Sequence, residues 1–79
     1  MHSINNPTQI GATLTGRRKH LKLSQTDVAN RLGLSQNRIS ELEAKPETLT
    51  VEQLLALLNV LGLEMTLGER AGGKPRVEW

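Results

Sequence analysis

The 79-residue sequence predicts a single all-α domain of four helices closed by one short β-strand. Three observations predict it. Apolar residues recur at three- and four-residue spacing in four separate stretches. A helix-capping residue precedes each stretch, and glycine or proline follows the last three. A chain this short buries too little surface for a second domain.

Asn6-Pro7 starts the first helix, because Asn is a favoured N-cap and Pro fits the first helical position, where no N–H is needed. Ile10, Leu14 and Leu21 follow at helical spacing, and Arg17-Arg18-Lys19 lie at the end where cations complement the helix dipole. Ser24-Gln25-Thr26-Asp27 resembles a capping box with Asp for the usual Glu, and Val28, Ala29 and Leu32 form one face behind it. Gly33 ends this second helix, where a left-handed residue is needed. Ser35 offers a new N-cap two residues on, and Ile39 and Leu42 give a third helix of roughly nine residues a buried stripe. Lys45-Pro46-Glu47 interrupts it. Thr50 caps a fourth helix, Val51 to Leu61, closed by Gly62. That helix is apolar over more than one face, so it is either central to the core or in contact with another subunit. Leu63, Met65 and Leu67 then alternate with Glu64, Thr66 and Gly68, the period of a strand. Residues 1–67 form the domain, and residues 68–79, with Gly72-Gly73 and Pro75, read as a flexible tail.

Composition narrows the function. Cys and Tyr are absent, and His2 and His20 are flanked by no patterned carboxylates, so the sequence offers no nucleophile–base pair, no metal cluster and no cofactor site; an enzyme is not expected. Trp79 is the only aromatic residue, which excludes the aromatic platforms that stack single-stranded bases. No stretch approaches the ~20 apolar residues of a membrane span and the polar N-terminus is unlike a secretory signal, so a cytoplasmic, nucleoid-associated protein is expected. Charge is asymmetric. The first forty residues carry six Lys and Arg against one Asp, net +5, and the rest carry four against seven Glu, net −3. The basic half is the candidate for a polyanion.

Two short helices joined by a Gly-containing turn make a helix-turn-helix, whose second helix can enter a DNA major groove about 12 Å wide. Ala29 supplies the small residue where the helices cross, Gly33 the turn, and Ile39 and Leu42 the anchors of the second helix. Gln36, Asn37, Arg38, Ser40 and Glu41 are left to point away. These are base-reading side chains: Gln and Asn suit adenine, Arg suits guanine or phosphate, Glu suits cytosine.

Gln25, Ala29, Gly33, Ser35, Ile39, Leu42 and Glu43 together resemble the lambda-repressor-like, or Cro/C1, family of DNA-binding domains over residues 7–62. More narrowly, the order from Pro7-Thr8-Gln9 through Leu23-Ser24-Gln25 and Ile39-Ser40 to Leu63-Glu64-Met65-Thr66-Leu67, with Trp79 at the end, is similar to the HipB-type antitoxins, which pair with HipA-type kinase toxins. The resemblance implies that Gln25 clamps a phosphate and braces the first recognition residue, and that Ser35, Gln36, Asn37 and Ser40 meet base edges. It implies a buried ion pair between Arg18 and Glu43. Ser35 and Arg38 depart from the narrower antitoxin pattern, so no operator sequence carries over.

The implied function is a repressor that binds a palindromic operator in double-stranded DNA as a homodimer and restrains a HipA-type toxin. The alternative is an autonomous Cro/C1-type regulator. A lone strand needs a partner, and antiparallel pairing across a two-fold axis would bury Leu63, Met65 and Leu67. Trp79, a large apolar side chain on the tail, is a candidate handle for the toxin or for a protease. A protein-interaction module whose basic half binds an acidic partner is the competing class, and salt-dependent binding to duplex DNA separates the two.

Overall fold

The computed structural model of the chain describes residues 3–69. Among them are four α-helices, α1 (Pro7–His20), α2 (Gln25–Leu32), α3 (Gln36–Ala44) and α4 (Val51–Val60), with a 3₁₀ turn at Pro46–Thr48 between the last two.

Each helix begins on a side-chain cap that satisfies amides the helix itself leaves unpaired. The Asn6 side chain accepts from Gln9 N–H at 3.0 Å, and Gln9 reaches back to the amide of Asn5. Ser24 and Asp27 complete a reciprocal box: Ser24 Oγ accepts from Asp27 N–H at 2.9 Å and the Asp27 carboxylate accepts from Ser24 N–H at 2.8 Å. The backbone bond from Ser24, aided by its hydroxyl, holds the Asp27 carboxyl below its ordinary pKa. Ser35 Oγ accepts from Arg38 N–H at 3.1 Å. Thr50 and Gln53 form a second box, each bond 3.0 Å.

Three helices end alike. In each, a left-handed residue lets its own N–H and the next one reach carbonyls of the last turn. Gly33 (φ 67°) closes α2 and Gly62 (φ 68°) closes α4. At the end of α1, where the sequence offers no glycine, Lys22 takes the left-handed conformation at φ 59°, with Leu23 N–H bonded to Arg18 O at 3.0 Å. Leu21 consequently lies beyond the helix and is 38% exposed, rather than sharing the buried stripe with Leu14.

The core takes Leu14 from α1, Val28 and Ala29 from α2, Ile39 and Leu42 from α3, Leu57 from α4, and Leu61 just past it. Ile10 and Leu32 are half-buried at its margin. At the crossing of α1 and α3 a Cβ on Gly11 would stand 2.6 Å from the carbonyl oxygen of Glu43 and 3.1 Å from Pro46 Cγ. Glycine is therefore the residue that lets these helices approach.

On α4, Leu57 is buried while Val51 is 70% and Leu55 49% exposed, so the apolar excess of this helix faces outward. No strand is assigned among the described residues: residues 63–69 have no regular structure, and Leu63 N–H to Leu58 O, 2.8 Å, is the last backbone bond they make to one another or to the helices. The physical reason is simple. A strand requires a second backbone to pair with, and the described residues of this single chain present none. Met1, His2 and residues 70–79, including Trp79 and most of the expected tail, lie outside the described residues.

Candidate nucleic-acid interface

The candidate interface is the outward side of α3, and its geometry begins in the turn before it. Ala29, 1% exposed, lets α2 and α3 pack closely, and Leu34 N–H bonds to Ala29 O at 2.9 Å to fix the path of the turn. Ile39 and Leu42, at 1% and 0% exposure, anchor the inner side of α3. At 3.6 residues per turn, Asn37 and Glu41 then fall opposite the anchors. Ser35, Gln36, Asn37 and Glu41 are exposed, and Arg38 and Ser40 are half-exposed. Arg38 and Glu41 form an ion pair with each other along the helix, so each has a partner before any ligand arrives.

Behind this surface lies a polar network from three helices. Arg18 of α1 grips Glu43 of α3 with two bonds, Nε to Oε2 at 2.8 Å and a second guanidinium nitrogen to Oε1 at 3.2 Å. Its remaining nitrogen donates to Leu23 O at 3.0 Å, so the guanidinium, although buried, has carbonyl and carboxylate partners on all sides. Gln25, first residue of α2, donates through Nε2 to Glu43 Oε1 at 3.1 Å, and Gln36 Nε2 donates to Gln25 Oε1. Burial works against ionisation of Glu43, but hydrogen bonds from Arg18 and Gln25 outweigh it and hold the carboxyl below its ordinary pKa. Among the described residues no buried side-chain polar atom lacks a partner.

This arrangement revises the basic N-terminal half. Arg18 is committed to Glu43, and Arg17 Nε donates to Leu61 O at 2.9 Å, placing a cation at the C-terminal end of α4. Lys19, Lys22 and Arg31 remain exposed. Two of the six basic residues thus hold the fold together: the Arg18–Glu43 pair is the one the family resemblance implied, whereas the contact of Arg17 with Leu61, 44 positions away, is not revealed by any local sequence pattern. The contacts of Gln25 with Glu43 and of Gly11 with α3 were equally out of reach of local spacing.

Comparison with known proteins places this geometry in context. The helix-turn-helix family profile matches residues 16–67. The Antitoxin HipB of Escherichia coli (strain K12) is 29% identical over 72 residues, which span 91% of this chain and 82% of that protein. A HipB-O1-O2 complex and a HipA-HipB-O2-O3 complex each align with a TM-score of 0.81 at 29% identity, covering 87% of this chain and 100% and 97% of theirs.

Proposed function

Because the chain belongs to the helix-turn-helix family, we propose that it is a sequence-specific repressor of the HipB type, which binds a palindromic operator as a homodimer and restrains a HipA-type kinase toxin. The observation that carries this reading is the outward side of α3, where Ser35, Gln36, Asn37, Arg38, Ser40 and Glu41 line a helix anchored by Ile39 and Leu42 and braced by Gln25. Amide side chains on such a surface match the donor–acceptor edge of adenine in the major groove. The solved relatives support the partners by what they contain, HipB with O1 and O2 in one and HipA with HipB in the other.

The dimer rests on exposed apolar surface. Val51 and Leu55 on α4 are exposed apolar side chains, as are Met65 at 46% and Leu67 at 95% on a backbone segment that has no pairing partner among the described residues. A second copy pairing through residues 63–67 would satisfy those groups and cover Leu63, Met65 and Leu67. Two recognition helices related by that axis would address half-sites about 34–36 Å apart, or a multiple of it.

The family profile specifies the helix-turn-helix and no toxin partner, which keeps an autonomous Cro/C1-type regulator as the second reading. One experiment separates them. The chain is incubated with duplex fragments from the region upstream of its own gene and with the product of the neighbouring gene. A repressor–antitoxin retains a discrete fragment and also forms a stoichiometric complex with a kinase-type neighbour. An autonomous regulator retains the fragment alone, and retention of neither contradicts both readings.

A further inference from the structure

We infer that Glu43, which lies behind the candidate interface and not on it, is a positioning residue for base recognition: through Gln25 it fixes which end of the Gln36 amide faces the DNA. This rests on the reading of α3 as a DNA-reading helix.

Hydrogen-bond polarity sets the orientation. An ionised carboxylate only accepts, whereas an amide side chain has one donating end and one accepting end. Arg18, bonded to both Glu43 oxygens, keeps that group ionised and fixed. Gln25 must therefore turn its NH2 toward Glu43, and does so at 3.1 Å. What Gln25 then presents toward α3 is its carbonyl oxygen. Gln36 can meet it only with NH2, as found. Turning either amide over would set two carbonyl oxygens or two NH2 groups against each other.

The outcome for Gln36 is specific. One N–H is spent on Gln25, and Oε1 and the second N–H have no partner among the described residues on this exposed side chain. An acceptor beside a donor is the pattern that bonds adenine N6 and N7 together. A free Gln would have to select this orientation from several rotamers on binding, so the relay from Glu43 removes that ordering cost beforehand. A purely structural Glu43 would hold α1 to α3 and leave base preference alone.

Two variants test this. Gln25→Met breaks the relay while leaving the Arg18–Glu43 pair intact, and Glu43→Gln keeps a partner for Arg18 but no longer dictates polarity. The first readout needs no DNA: the side-chain amide resonances of Gln36 in the free protein should shift in both variants. The second is preference among the four base pairs at the position whose preference disappears in Gln36→Ala, normalised to overall affinity. Preference there should fall about tenfold, within the range of one bidentate contact, with other positions unaffected and no further loss when either variant is combined with Gln36→Ala. Unmoved Gln36 resonances, or an equal loss of affinity on every duplex, would overturn the inference. Should Glu43→Gln fail to fold, Gln25→Met decides alone. If the unaltered chain prefers no sequence, the DNA-reading function fails instead, and the resonances still report on the relay.

Discussion

Arg18 and Glu43, 25 positions apart, are joined by two hydrogen bonds with each side chain only 11% exposed. This pair ties α1 to α3, and it sits behind the helix face that the proposed function uses.

Removing either partner leaves a buried charge alone. Arg18→Ala and Glu43→Ala should each destabilise the fold by about 3–5 kcal/mol. The double change Arg18→Met with Glu43→Leu should restore much of that, because apolar replacements of similar volume avoid the desolvation cost. Urea unfolding of the three variants checks this. Single-variant losses well under about 1 kcal/mol would mean that the pair behaves as an exposed one.

Acid should unfold the domain through Glu43. Its folded pKa lies below its unfolded one, so its stabilisation is complete above the ordinary glutamate range and is lost as pH falls through the depressed folded value. Asp27 acts in the same direction from an exposed position, so solvent weakens its share. Melting temperature should therefore hold near neutrality and drop on acidification, and Glu43→Gln should flatten that drop. An acid limb of equal steepness in this variant assigns the effect to other carboxylates.

The two glycines of α1 should respond oppositely to the same change. Gly16→Ala meets nothing within 4 Å and should stabilise by up to about 1 kcal/mol through helix propensity alone. Gly11→Ala drives a methyl into the Glu43 carbonyl and should cost about 1–3 kcal/mol despite the same propensity gain. Paired thermal melts test the sign, and equal shifts would contradict the close α1–α3 crossing.

Much of the fold was legible because it is written locally. Asn6, Ser24, Ser35 and Thr50 are the caps, and Gly33 and Gly62 the left-handed stops, as their spacing predicts. Lys22 was not legible. Its carbonyl acceptors fix the turn geometry, and the strain of φ 59° is carried by a residue with no propensity for it. The outward side of α3 followed from period 3.6 around Ile39 and Leu42. The bracing of that side by Gln25 came from the family resemblance alone, and the bond from Gln25 to Glu43 behind it was not legible, since it depends on three helices meeting. Leu63 to Leu67 alternate as a strand does, yet alternation fixes only which side chains share a face, and a strand forms only where another backbone accepts it.

Lys22→Gly should remove the left-handed penalty and raise stability by a few tenths to about 1 kcal/mol, the gain being trimmed by the freedom glycine adds to the unfolded chain. Chemical denaturation measures it, and a loss of stability would show that the Lys22 side chain contributes more than its backbone costs.

Whether α3 reads duplex DNA is decided by the affinity of Gln36→Ala and Asn37→Ala for a duplex selected by the unaltered protein, against a scrambled duplex at the same salt concentration. Gln36→Ala should lose on the order of 1–3 kcal/mol on the selected duplex and almost nothing on the scrambled one, with helical content unchanged. Selected-duplex affinity left intact in both variants would mean that α3 is not the helix that reads DNA.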